Sequence, residues 1–307
     1  MKPSLKSLIT ISILLAIIIL LFNYLKNNLN DFKQLTLVNP FYLIILVLIF
    51  MAGMVLNGLL LDYLMRPFGL RLNLKEIIGL PIITNFYNLI TPFKGGAGIR
   101  AAYLNKKHNF PYVHFLATLG AIYVILFLVN GLGGIISMVY IWLSYNIFNR
   151  IIFLAFTVFT LFLIAIIILS PKLPESKNSL INKFIEVING WHLIKDNKEV
   201  LLITTIIGLV QLMLGAINTM ITYNLFNIQI GFFKALFIAS VGSLSILVAI
   251  TPGNLGVGDA ISIFSANLIG IPLTEAIAAT ILLRAINLAV ILILGPIFSY
   301  ILIKHEK

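Results

Sequence analysis

Apolar residues run in long blocks along this chain, and short polar clusters separate them. A block of about 20 apolar residues is the length that crosses a hydrocarbon core as an α-helix. Leu5 to Tyr24 is such a block behind Lys2 and Lys6. It exceeds the apolar region of a signal peptide, and Asn23-Tyr24-Leu25-Lys26 offers no small-residue cleavage site. It is expected to stay as a first helix that enters from the cytoplasm. Phe41–Leu61, Ile151–Leu169, Val200–Phe226, Phe232–Ile250 and roughly Ala276–Ile303 read as further spans. Val113–Tyr145 is too long for one span, and Gly131, Gly133 and Gly134 punctuate it, so one span plus an outer broken segment is expected. Some seven or eight crossings result, in an all-α polytopic transmembrane bundle.

Two segments break the pattern. Lys75–Leu89 is apolar but short, and Lys94, Arg100, Lys106 and Lys107 follow it closely. A full crossing would put those charges outside, against the bias of Lys and Arg toward cytoplasmic loops. A re-entrant helix pair keeps both ends inside. Pro171–Glu199 is the sizeable polar stretch, yet Leu180, Ile181, Phe184, Ile185, Ile188 and Trp191 recur in it at helical spacing. That spacing fits an amphipathic helix on the membrane surface or an ordinary loop helix. The carboxyl end, Lys304-His305-Glu306-Lys307, is basic and expected on the cytoplasmic side, as is the amino end.

Composition agrees with lipid as the solvent. Of 307 residues 60% are hydrophobic and only 10% charged, and the mean hydropathy is +1.08. A soluble domain carries about 25% charged residues. The net charge of +11 lies in the polar clusters between apolar blocks and forms no continuous basic face, so nucleic acid is not an expected partner. There is no cysteine, and His108, His114, His192 and His305 have no metal-ligand spacing. No nucleotide-binding or hydrolase motif occurs, so no cofactor, metal or catalytic residue is expected. One membrane domain, residues 1–307, is the simplest organisation. Its halves, about 1–170 and 199–303, are joined by a cytoplasmic amphipathic segment, 171–198.

The halves share a motif. Thr91-Pro92-Phe93-Lys94-Gly95-Gly96-Ala97-Gly98 and Thr251-Pro252-Gly253-Asn254-Leu255-Gly256-Val257-Gly258 match as T-P-x-x-x-G-x-G, with an offset of 160 residues from Thr91 to Thr251. Proline removes a backbone donor and glycine permits unwound backbone. Unwound backbone survives at membrane depth only inside protein or beside a water-filled cavity. Matched Gly/Pro interruptions in two halves therefore point to a transporter's binding site. Ordinary loops at helix ends are the competing reading. The charges suggest that the first break dips from the cytoplasm and the second from outside, which makes the repeats inverted.

Charged residues near these breaks are the candidate site. Arg284 lies well inside the last apolar block and needs a partner or water, with Asp259 and Glu275 the nearest acids in sequence. Snorkelling to an interface is the alternative. Asp259 opens a short helix, where an acid caps the amino end or handles charge. Arg100 suits a lipid phosphate, which guanidinium meets bidentately, or simply follows the cytoplasmic bias of basic residues, and Lys94 inside the first break points to the same phosphate. Asn85, Asn88, Asn218 and Asn287 are polar positions that suit contacts between helices.

At these residues the chain resembles a known family. Asn88–Leu104, NLITPFKGGAGIRAAYL, is similar to the P-x-[KR]-x-G-E-x-x-R signature of the lysylphosphatidylglycerol synthase transmembrane region, the flippase-like proteins. Thr251–Asp259 with Arg284 resembles that family's P-G-x-x-G-x-x-E and late arginine. The resemblance covers essentially the whole chain. It places Pro92, Lys94, Gly96, Arg100, Pro252, Gly253, Gly256, Asp259 and Arg284 on family positions. Two departures stand out: the family's first glutamate is Ala97 here, and the second is the shorter Asp259. A proton-coupled mechanism would then fall on Asp259 alone. In larger members this region is joined to an aminoacyl- or glycosyl-transferase domain. With four residues after Ile303, this chain is expected to be a stand-alone membrane module.

The resulting expectation is a translocase of the cytoplasmic membrane for an anionic lipid or polyprenyl-linked intermediate. Lys94, Arg100, Asp259 and Arg284 would hold the headgroup. Pro92, Gly96, Gly98, Pro252, Gly253, Gly256 and Gly258 would form the helix breaks. Two readings compete. One is a membrane enzyme acting on a lipid phosphate, which lacks an acidic metal cluster or nucleophile. The other is a partner subunit that anchors a soluble transferase.

Overall fold

The structure is a computed structural model that describes residues 39–91, 95–174, 176, 178–248 and 251–303. The expected first helix, Leu5–Tyr24, lies outside the described residues, as do Pro92, Lys94 and Lys304–Lys307. Among the described residues there are ten α-helices and no strand. They are α1 (Phe41–Met65), α2 (Leu74–Ile90), α3 (Gly95–His108), α4 (Tyr112–Tyr145), α5 (Arg150–Leu169), α6 (Ser179–Lys195), α7 (Lys198–Asn224), α8 (Phe232–Leu244), α9 (Val257–Leu268) and α10 (Leu273–Ile303). Five of them, α1, α4, α5, α7 and α10, are long and apolar enough to cross a membrane. The arms of the two breaks are shorter.

The outside of the bundle is apolar. Helix α5 buries Phe156, Thr160 and Leu163 and leaves Ile151, Leu154, Phe162 and Leu169 bare. Bare aliphatic side chains are stable in hydrocarbon, so this face fits lipid. Inside, one cluster of buried residues packs Leu60, Leu64, Leu80, Leu104, Phe115 and Trp191 together. A second joins Val129, Phe156, Leu212, Phe237 and Ala266. Helix α4 contributes to both.

Local chemistry sets the boundaries. Asp62, near the end of α1, takes Arg66 Nη2 at 2.7 Å and the Leu72 backbone N–H at 2.7 Å, which folds the turn into α2. Gly69 in that turn has φ 81°, a conformation glycine adopts without strain. Helix α2 opens on a reciprocal cap: the Asn73 side chain accepts the Glu76 N–H at 3.0 Å, and Glu76 accepts the Asn73 N–H at 2.9 Å. Pro81 lies inside α2. Lacking an N–H, it leaves the carbonyl of Ile77 without its helical donor. Gly58 of α1 packs against that carbonyl, where any Cβ would collide.

Helix α4 corrects one sequence expectation. Val113–Tyr145 contains no broken segment: α4 is continuous over 34 residues, about 51 Å at 1.5 Å per residue. Its glycines are seats for neighbours. A Cβ at Gly131 would meet Thr160, at Gly133 Leu212, and at Gly134 Phe156. They bring α5 and α7 close without interrupting hydrogen bonding. A helix of that length exceeds a hydrocarbon core of about 30 Å and must tilt or project beyond it.

The order of elements recurs. Helices α1 to α4 begin at residues 41, 74, 95 and 112, and α7 to α10 at 198, 232, 257 and 273. Each break follows the second helix of its group. Packing recurs with it: α2 lies against α10, α4 lies against α8, and α1 meets α7. Exchanging the two groups leaves this set of contacts unchanged.

Candidate functional site

Each break is built to hold an opening in the bundle. In the first, the Gly96 N–H donates to Asn88 Oδ1 at 3.0 Å, so α3 starts against the last turns of α2. A Cβ on Gly96 would strike the Thr84 carbonyl. Gly98 has open space and is exposed, so the close approaches belong to Gly96 and to Gly95, where a Cβ would meet the Thr91 side chain. In the second break, Gly253, Asn254 and Gly256 have φ of 59°, 56° and 75°. Thr251 Oγ1 donates to the Leu255 carbonyl at 2.7 Å, and Asn254 Nδ2 donates to Ser245 Oγ at 2.9 Å. A Cβ at Gly258 would run into the Asn254 side chain. The short turn Pro252–Asn254 rests on α2, with Gly253 against Leu89.

Between the breaks is a cavity of about 290 Å³. Asn57 of α1, Asn85 and Asn88 of α2, Tyr123 of α4, and Asn254 of the second break give it a polar lining. Arg100 of α3 and Arg284 and Asn287 of α10 complete it. The structure thus brings together two of the four predicted ligand-binding residues, Arg100 and Arg284, on one cavity. Asp259 stands behind Arg284, and Lys94 lies outside the described residues.

The two arginines differ in their partners. Arg284 Nη2 and Nε donate to Asp259 Oδ1 at 2.5 and 2.9 Å, and Nη1 donates to the Gly253 carbonyl at 3.3 Å. Asp259 Oδ2 accepts the Gly256 N–H at 2.9 Å, which also caps the first turn of α9. Glu275, the other acid near in sequence, makes no ion pair with Arg284. Arg100 is 5% exposed. Its Nε has no hydrogen-bond partner, and no described acid pairs with it. The Phe115 ring, 5.5 Å away, faces its guanidinium. Arg284 is therefore neutralised within the fold, whereas Arg100 leaves one positive charge facing the cavity.

A second polar cluster closes the mouth of the first hairpin. Glu76 at the start of α2 is fully buried. Its Oε1 accepts Tyr103 OH at 2.9 Å and lies 2.7 Å from His108 Nε2 and 3.2 Å from Lys107 Nζ. Burial pushes the Glu76 carboxyl up, but the Asn73 N–H, His108 and Tyr103 outweigh it and leave the group below its ordinary range. This clamp ties α2 to the end of α3, 32 residues apart in sequence. Sequence reasoning missed it, because one acid among scattered cations carries no spacing signal. It also missed Asn57, Tyr123 and Asn254 as lining residues. Asn254, inside the repeated motif, was the findable one. Among the described residues no group of His, Cys, Asp or Glu is arranged to hold a metal ion.

Apolar outer faces, paired helix breaks and an internal polar cavity define a polytopic α-helical membrane protein with a buried cationic site. Its sequence matches the family model for the lysylphosphatidylglycerol synthase transmembrane region over residues 9–295, and the chain belongs to that family. It is 24% identical over 285 residues to a phosphatidylglycerol lysyltransferase of Staphylococcus aureus (strain MRSA252). The alignment covers 89% of this chain and 30% of that relative. No solved structure matches the chain.

Proposed function

We propose that the chain carries the headgroup of an anionic lipid, or of a polyprenyl-linked phosphate, between leaflets of the cytoplasmic membrane. One observation carries this reading: Arg100 is buried beside a polar cavity with no counter-charge among the described residues. A buried charge without a partner costs several kcal/mol, and an anionic ligand supplies the missing partner. The cavity of about 290 Å³ is at the small end of ligand pockets. It admits a headgroup, while the tails stay in lipid. Family membership and the lysyltransferase relative support a role in lipid chemistry.

Orientation belongs to the same proposal. Arg66 and Arg71 before α2, Lys75 in its first turn, Lys106 and Lys107 in the last turn of α3, and Lys172 to Lys198 around α6 share one side, where Lys107 meets Glu76 and Gly190 packs on Phe68. That side is the cytoplasmic one by the distribution of Lys and Arg. The first break then opens from the cytoplasm and the second from outside, and the two groups of helices are inverted repeats.

The test is leaflet exchange in liposomes carrying labelled phosphatidylglycerol or undecaprenyl phosphate. Exchange that depends on the protein and disappears with Arg100→Met supports the reading. Normal exchange by that variant ends it. A second reading, a membrane subunit serving a separate transferase, rests on the similarity to a lysyltransferase. Co-purification of a soluble transferase that is lost when α6 is replaced would favour it.

A further inference from the structure

The Arg284–Asp259 pair stands between two cavities. Arg284 and Asn287 line the first cavity, and both also line a second of about 330 Å³ bounded by α7, α8, α9 and α10. Asp259 lines only the second. The side chains of the pair are 27% and 22% exposed, so the contact is reachable by a ligand.

The two members are not equally fixed. Asp259 is held in α9 by the Gly256 N–H on Oδ2, a bond independent of Arg284. Arg284, apart from Asp259, has one long contact, 3.3 Å to the Gly253 carbonyl. The carboxylate is the anchored partner and the guanidinium the movable one. The first half has no equivalent pair: 160 residues earlier, Ile99 and Val124 stand where Asp259 and Arg284 would be. Among the described residues there is thus one cation without an acid partner, Arg100, beside the first cavity, and one paired cation on the wall to the second.

We propose that Asp259 is a displaceable internal counter-ion that holds Arg284 while the cavity is empty and yields it to the ligand's phosphate. The headgroup then passes from Arg100 to Arg284 and reaches the second cavity. This rests on the reading that the Arg100 cavity takes an anionic headgroup. A phosphate diester offers guanidinium two anionic oxygens, where Asp259 gives it Oδ1 alone. The exchange therefore replaces one anion by another and never leaves Arg284 bare in the membrane, which would be costly. When the headgroup leaves, Asp259 takes the arginine back. Transport needs binding weak enough to release, and a returning counter-ion supplies that release. A zwitterionic headgroup carries the same phosphate but brings its own cation to neutralise it, so it is expected to compete for Arg284 less well.

The experiment uses the full chain and labelled phosphatidylglycerol, with phosphatidylcholine as control. Binding is titrated in detergent and leaflet exchange is followed in liposomes. Asp259→Asn keeps an oxygen for the Gly256 N–H but removes the charge. It is expected to tighten phosphatidylglycerol binding by about fivefold or more and to slow exchange. The double variant Asp259→Asn/Arg284→Gln is expected to lose that gain, and Asp259→Glu to restore exchange. A merely structural pair predicts that Asp259→Asn weakens binding and exchange together, or leaves binding unchanged; either result overturns the proposal. Should Asp259→Asn fail to fold, the double variant, which leaves no lone charge, decides: binding tighter than that of the unaltered chain overturns it, and weaker binding supports it. If the unaltered chain prefers neither phosphatidylglycerol nor undecaprenyl phosphate over phosphatidylcholine, the headgroup reading falls first and this one with it.

Discussion

If Arg100 serves the proposed ligand at the expense of stability, replacing it should make the empty protein more stable. Placing an arginine at membrane depth costs about 2.5–3.5 kcal/mol on insertion scales. Arg100 has no described acid and no hydrogen-bond partner on its Nε, so what the described fold returns of that cost comes from Phe115 and the electrostatic contact with Tyr123. A cation–π contact returns about 0.5–1 kcal/mol. Arg100→Met keeps an apolar stem of comparable reach and removes the charge. The expected gain is about 2 kcal/mol, roughly a 30-fold shift in the folding equilibrium. Reversible unfolding in mixed micelles with a denaturing detergent measures it, and leaflet exchange is measured on the same preparation. The expected result is a more stable protein that no longer moves lipid. A loss of more than about 1 kcal/mol would refute the reasoning, because it would mean that Arg100 has a structural partner.

Three further outcomes follow from the geometry. Gly58→Ala puts a Cβ into the Ile77 carbonyl and should cost about 1–3 kcal/mol by overpacking, read by the same unfolding assay. Glu76 has a depressed carboxyl, so its contribution to stability is present above its unfolded value of about 4.3 and is lost as pH falls through its lower folded value. Unfolding of the unaltered chain should therefore grow easier with acid below about pH 4, and Glu76→Gln should flatten that part of the profile. The chain has no native cysteine, so single cysteines report sidedness directly. Ala97→Cys should label from the cytoplasm and Leu255→Cys from outside, and labelling of both from one side would end the inverted-repeat proposal.

Much of this architecture is legible in the sequence because lipid imposes simple rules. Runs such as Ile151–Leu169 have no stable state in a membrane other than a helix, and α5 follows that block to within one residue. The repeated Thr-Pro and glycines marked both breaks. Arg284 demanded an acid, and Asp259 is the one it meets. Gly131, Gly133 and Gly134 misled, because glycine serves both to break helices and to seat neighbours. Only the facing residues, Thr160, Leu212 and Phe156, decide between those uses. The isolation of Arg100 was hidden for a related reason. The absence of a partner is a property of the whole fold, and no local pattern encodes it. Likewise Glu76 and His108 meet only once α2 and α3 fold back on each other.

The surface helix α6 shows the same limit. Its spacing left two readings open, and the structure shows which residues are bare. Phe184 is 73% exposed, and Ile181 and Ile188 are exposed on the same face, while Trp191 and Ile194 pack into the core. An exposed apolar stripe between the ends of α5 and α7 suits the headgroup boundary of the bilayer.

The central claim is that an anionic headgroup completes the charge at Arg100, and leaflet exchange tests it most directly. Liposomes with labelled phosphatidylglycerol or undecaprenyl phosphate in both leaflets are exposed to an impermeant quencher. The account predicts that the unaltered chain makes inner-leaflet label accessible to the quencher and that Arg100→Met, though folded and more stable, does not. Exchange by Arg100→Met equal to that of the unaltered chain would contradict it.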